Sequence, residues 1–238
     1  MIEKLRHMVA SALDDGGARG LLAKAARRAR RLVAYQSAQS IWFYRTLKNP
    51  VKPVQPGMDV EMVFLAGDKS RLIAWLKANS LSFPWIYIER EVESAAANGH
   101  IFGCVCRGDG IAGYVKIGVG PTYIHDFGRT IRFPSGVAFI YDTFVAPEYR
   151  GKHIGLYAVS EALSHLKRAG FKGVWCHIEE WNSSSLKTFM RAGFAEASRI
   201  RFMRVLGLPL YIRGAGRPMM KLEPFLEPPG ATSYDKGQ

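Results

Sequence analysis

Residues 145–155 read Val145-Ala146-Pro147-Glu148-Tyr149-Arg150-Gly151-Lys152-His153-Ile154-Gly155. An apolar run, Val137 to Val145, enters the stretch, and an amphipathic run, Leu156 to Arg168, leaves it. The pattern predicts a strand, a tight basic turn and a helix. A helix start carries backbone N–H groups with no partner inside the helix, and with Arg150 and Lys152 beside it the turn is an anion site. Gly151 and Gly155 let the backbone approach a phosphate closely. No G-x-x-x-x-G-K-[ST] is present, so the turn is not a Walker loop, and no G-x-G-x-x-G is present, so it is not a dinucleotide fingerprint. On these residues alone the stretch also fits any strand–turn–helix of an α/β domain.

The same stretch resembles the pyrophosphate-binding motif of the GNAT superfamily, the acyl-CoA-dependent N-acyltransferases, through Val145, Pro147, Arg150, Gly151, Ile154 and Gly155. His153 stands where that motif usually has Gly, which sets a β-carbon beside the expected phosphates. A second block, from Asn182 through Ser185 and Phe189 to Gly193 and Phe194, resembles the family's Asn-x-x-Ala-x-x-x-Tyr-x-x-x-Gly-Phe helix. The resemblance covers roughly residues 58 to 200. It implies a mixed central sheet flanked by helices in the order β-α-α-β-β-β-α-β-α-β. It also implies acetyl-CoA or another acyl-CoA as co-substrate, no metal, and an amine acceptor. Periodicity alone predicts only a mixed α/β domain.

Outward from this centre, the chain of 238 residues has room for one domain with extensions. The expected division is a basic helical extension and Pro-rich linker over 1–57, the catalytic domain over 58–206, and a Gly/Pro-rich tail over 207–238. No apolar run reaches membrane-spanning length, and the first residues lack the apolar core of a signal peptide. Cys104, Cys106 and Cys176 form neither a disulfide framework nor a metal-ligand spacing, so they are expected as reduced core residues of a cytosolic protein.

The formal charge of +13 is unevenly spread. Residues 1–50 hold ten Lys/Arg against three Asp/Glu, residues 199–238 seven against three, and the middle is close to neutral. Leu21–Tyr35 predicts a basic amphipathic helix with Leu22, Ala25, Ala29, Leu32 and Val33 on one side and Lys24, Arg27, Arg28 and Arg31 on the other. Trp42, Phe43 and Tyr44 follow it, as an interfacial aromatic anchor would. The arm therefore has two readings: binding to an anionic membrane face, or packing on the domain or a dimer partner. Nucleic acid is the least expected partner.

Along the rest of the chain, strands are expected at Met58–Ala66, His100–Arg107, Ile111–Gly118, Val137–Val145, Val174–Ile178 and Phe194–Val205. Helices are expected at Asp68–Ala78, Trp85–Ala97, Ile154–Arg168 and after the cap Asn182. Gly108-Asp109-Gly110 signals a hairpin. Residues 124–135 read as irregular, with room for a further strand carrying Arg129 and Arg132.

Acyl transfer to an amine needs a donor to the thioester carbonyl, a proton acceptor for the amine, and a stable leaving thiolate. The resemblance places the carbonyl donor at Phe144–Val145 and the pyrophosphate contacts at Arg150, Gly151, Lys152, His153, Ile154 and Gly155. Asn182 is expected as a helix cap or a pantetheine contact, with Ser185 beside it. The family often carries its base where Phe139 stands and its acid where Phe189 stands, and a phenyl ring can do neither. Strand alternation puts Phe139, Tyr141, Thr143 and Val145 on one face and Ile140, Asp142 and Phe144 on the other. Asp142, Tyr141 and Glu179 are the candidate catalytic groups; Asp142 also has a structural reading, as a partner for a neighbouring loop.

Overall fold

The protein is described here from a computed structural model, over residues 36–65, 70, 74, 97–108, 110–124, 127, 129–205, 208–214 and 217–219. The expected helix over 21–35, nearly all of those over 68–78 and 85–97, and the end of the tail lie outside the described residues. The chain divides into two compact units, one holding Ser40–Arg199 and the other Ile200–Met220 with the residues before Ser40.

The larger unit is built on β1 (Gln36–Thr46) from Ser40 onward, β2 (Glu61–Leu65), β3 (Ile101–Arg107), β4 (Gly110–Gly118), β7 (Val137–Val145) and β8 (Gly173–Glu179), in the spatial order β2-β3-β4-β7-β8-β1. Neighbours are antiparallel except β7 and β8, which are parallel. A parallel pair needs a crossover, and α1 (Ile154–Arg168) supplies it. Its buried residues Ile154, Ala158, Val159, Ala162, Leu163 and Leu166 recur at helical spacing, so one stripe faces the sheet. That stripe meets Val115, Ile117, Ala138, Ile140, Val174 and Cys176 in the main core. The helix stops at Gly170, which takes φ 84°, after a last turn rich in His165, Lys167 and Arg168. α2 (Ser183–Arg191) follows β8, and its one buried side chain, Phe189, stacks edge-on against Phe194 with ring centroids 5.1 Å apart. A separate two-stranded ribbon, β5 (Thr122–Ile124) with β6 (Arg129–Ile131), occupies part of the stretch expected to be irregular.

The opposite face of the sheet is aromatic. Trp42 is fully buried and stacks on Phe139 at 5.8 Å and on His177 at 5.3 Å, with Trp175 and Phe127 around it. This corrects the reading of Trp42 and Phe43 as a membrane anchor: both are core residues of β1, paired with β8 from Ser40 to Thr46, inside the stretch expected as extension and linker. The sequence Ile41-Trp42-Phe43-Tyr44 is a short apolar run with strong strand preference, and pairing with β8 outweighs its resemblance to an interfacial belt. All three cysteines are buried, with Cys104 and Cys106 in one apolar cluster.

In the smaller unit, Ile200–Val205 of β9 (Ala195–Val205) pairs antiparallel with β10 (Leu208–Arg213), and β10 pairs with β11 (Arg217–Met219). Tyr211 is buried against Phe202 at 5.3 Å. The start of the expected Gly/Pro-rich tail is thus strand, because Leu208 to Arg213 has a ladder partner.

Candidate active site

β7 and β8 pair only from Val137–Ile140 with Gly173–Cys176. Beyond Ile140 no described strand pairs with the edge of β7 that faced β8. The gap widens into a cleft of about 670 Å³ lined by Thr143, Phe144, Val145, Tyr149, Arg150, Gly151, His153, Gly155 and, across it, Asn182, Ser185, Thr188 and Phe189. The expected cofactor residues, apart from Lys152, line this single cleft.

The turn at its mouth leads into a helix start that no side chain caps. Pro147–Tyr149 form one 3₁₀ turn, Gly151 takes φ 78° and His153 takes φ 59° as the residue before α1. His153 therefore occupies the left-handed conformation that Gly adopts without strain, with its β-carbon present. No side chain caps α1 and no acid sits in its first turn, so the leading N–H groups remain for an exogenous anion. Arg150 donates from Nε to the Val145 carbonyl at 3.2 Å and lies over the Phe144 ring, and the Lys152 ammonium lies over Tyr149. Gly155 packs 3.4 Å from Val145, measured from where a β-carbon would stand, so its lack of a side chain keeps the helix start close to the strand end.

Deeper in the gap lies a smaller cavity of about 180 Å³, lined by Tyr141, Asp142, Thr143, His177, Glu179, Asn182, Ser185 and Phe189. It shares Thr143, Asn182, Ser185 and Phe189 with the cleft. All three candidate catalytic residues, Asp142, Tyr141 and Glu179, come together here. Glu180, one residue on, instead pairs with Arg199 at 3.0 Å.

Strand alternation misplaced Asp142. The β4–β7 register shifts between Lys116 and Ile117: Lys116 faces Asp142 and Ile117 faces Ile140, leaving Tyr141 as the extra residue. A bulge sets two successive side chains on one face. Phe139 and Asp142 pair with Gly118 and Lys116, which share a face of β4, so Phe139, Tyr141 and Asp142 look the same way. Asp142 Oδ2 accepts from the Lys116 ammonium at 3.1 Å and from Tyr114 Oη at 3.1 Å. Lys116 is buried and Asp142 just over a third exposed. The structural reading of Asp142 thus has its partners, on β4 rather than on a loop.

Asn182 accepts from the Ser185 N–H at 3.1 Å and so caps α2 while lining the cleft. Phe189 is buried in the main core and also lines the cleft, so it packs where the family often has an acid. Sequence reasoning missed Tyr114, Lys116 and His100. Lys116 carried a signal, a single charge inside the apolar run Ile111–Gly118; His100 carried none. Among the described residues no group of three His, Cys, Asp or Glu could hold a metal, and no helix is long and apolar enough to cross a membrane.

With the turn and the splayed strands in place, the family follows: the chain belongs to the Acetyltransferase (GNAT) family, whose model matches residues 64–194. No curated protein matches it in sequence. Among solved structures it is similar to a GCN5-related N-acetyltransferase from Sphaerobacter thermophilus, with 16% identity over 77% of this chain and 55% of that one, at a TM-score of 0.49. A GNAT-family acetyltransferase from Novosphingobium aromaticivorans matches at 17% identity, over 70% of this chain and 63% of that one, with a TM-score of 0.44. The PaiA N-acetyltransferase of Thermoplasma acidophilum, solved with coenzyme A, matches at 18% identity over 56% and 88%, with a TM-score of 0.35. The chain spans less than two thirds of the length of the first two.

Proposed function

We propose that the protein transfers an acyl group, most simply acetyl, from acyl-CoA to a primary amine. The observation that supports this reading is the sharing of lining residues by two spaces: a cleft with an uncapped helix start at one end, and a small cavity lined by Tyr141, Asp142 and Glu179 at the other. CoA pyrophosphate would sit on the N–H groups of Arg150 to Gly155, and the pantetheine arm along β7 beyond Ile140. The thioester would then lie where the two spaces meet, near Thr143 and Phe189. A cavity of about 180 Å³ suits a short acyl group and the end of an amine chain. A free alkylamine titrates near 10, so the acceptor, mostly ammonium in water, sheds that proton to solvent before it binds, and the neutral amine is the species that attacks.

The chemistry asks little of the protein beyond placement. Holding the amine against the thioester removes the entropy of the encounter, and backbone N–H groups at the open end of β7 stabilise the oxyanion. The test is thiol release from acetyl-CoA with a panel of primary amines, followed by mass measurement of the product. An amine gaining 42 Da, about one acetyl group on the acyl-transfer stoichiometry, supports the reading. Tight CoA binding with no transfer to any amine would leave a CoA-binding module in its place.

A further inference from the structure

The small cavity has a buried imidazole behind one wall. His100, just before β3, is only 5% exposed. Its Nδ1 lies 3.3 Å from Tyr141 Oη, and its Nε2 lies 3.2 Å from the Pro121 carbonyl. A carbonyl oxygen can only accept, so Nε2 carries the ring proton and Nδ1 is left to accept. The Tyr141 hydroxyl therefore donates to Nδ1. Thr122 Oγ1, 3.4 Å from Nε2, donates its own proton to the Gly120 carbonyl at 3.0 Å and strengthens the same tautomer. Asp142, next to Tyr141, is already engaged by Lys116 and Tyr114.

We propose that His100 is the proton acceptor of the acyl transfer, working through the Tyr141 hydroxyl. The inference rests on the transferase reading above. His100 does not touch substrate; it is a positioning residue that orients Tyr141 and takes its proton. As the amine nitrogen bonds to the thioester carbon, the carbonyl pair moves to oxygen and the nitrogen becomes cationic. One N–H bond then breaks, its proton passing to Tyr141 Oη while the Tyr141 proton passes to Nδ1. The Nε2–H stays on Pro121 throughout. Re-forming the C=O bond expels the thiolate, and the imidazolium returns its proton through Tyr141 to that sulfur. Amide and free thiol are the products, and nothing else is consumed. Burial lowers the pKa of His100, so the ring is neutral and ready to accept at pH 7; among the described residues the facing groups are Tyr141 from β7, Thr122 from β5 and the Pro121 carbonyl just before it, none of them charged.

The test uses the full chain labelled with ¹⁵N-histidine, together with pH profiles of thiol release from acetyl-CoA with the amine panel. At pH 7.5 the His100 ring should be the neutral Nε2–H tautomer; an Nδ1–H ring would overturn the relay. Tyr141→Phe and His100→Asn should each lower kcat by roughly 10²–10⁴ with little change in KM, and the double variant should fall no further than either. The acid limb of wild-type kcat should be lost in His100→Asn. Desulfo-CoA calorimetry on each variant shows whether the cofactor cleft is intact. A wild-type kcat and acid limb in either variant would overturn the proposal. If the wild-type chain binds desulfo-CoA but releases thiol with no amine, the transferase reading itself falls, and a relay for it falls too.

Discussion

At the scale of single residues, Asp142 and His100 show opposite answers to the cost of burying a polar group. Asp142 is ion-paired, with Lys116 as its buried partner. Asp142→Asn should therefore cost about 1–3 kcal/mol by leaving that ammonium without its counter-charge, near the lower end because Asp142 is partly exposed. Denaturant midpoints measure this; unchanged stability with abolished turnover would make Asp142 the base instead. His100 is buried neutral, and burial pulls its pKa below the ordinary 6.5. His165 is lowered too, by burial first and then by Arg168. The unfolded chain takes up a proton at both positions near pH 6.5, while the folded chain resists until lower pH. Stability from these groups is thus full above pH 6.5 and declines as pH falls from there toward the folded pKa values. Urea midpoints at pH 8, 6 and 5 should fall in that order, and His100→Asn should flatten the decline without removing it. An unchanged slope would contradict the burial argument.

At the scale of elements, the turn from β7 to α1 was legible because its chemistry is local. A proline, a basic pair, two glycines and the switch from apolar run to amphipathic period lie within one short stretch, and α1 runs over Ile154–Arg168 as the pattern predicts. The bulge in β7 was not legible, since a register shift depends on how two strands meet, and no residue near Tyr141 announces it. The conformation at His153 follows from its φ of 59°. His153→Gly should leave stability unchanged or raise it by up to about 1 kcal/mol, while Gly151→Val, at φ 78° with open space around it, should lower it by about 1–2 kcal/mol through conformation alone. Thermal melts of the two variants check this; equal losses in both would mean that packing, not backbone angle, governs the turn.

At the scale of the whole molecule, the expected division sets the domain start at residue 58, after a basic arm and a Pro-rich linker, whereas the larger unit begins at Ser40. The apolar run of β1 was read as an extension because its partner, β8, lies more than a hundred residues away in the chain. The basic residues Lys24, Arg27, Arg28 and Arg31 keep the membrane hypothesis for the arm, without the aromatic anchor that β1 has withdrawn. Each basic residue near an anionic surface gains about 1 kcal/mol, so binding should be weak and electrostatic. Full-length protein should sediment with phosphatidylserine-containing vesicles at low salt, release at high salt, and remain in the supernatant with neutral vesicles; indifference to both would leave the arm a packing element. Calorimetric titration of the full chain with desulfo-CoA, beside a Gly155→Glu variant that sets a side chain and a negative charge at the start of α1, reads CoA binding at this cleft. The cleft and its uncapped helix start predict one site in the wild type, and at least a tenfold loss, about 1.4 kcal/mol, in the variant. Equal affinity in the two proteins, or no binding in the wild type, would contradict the account.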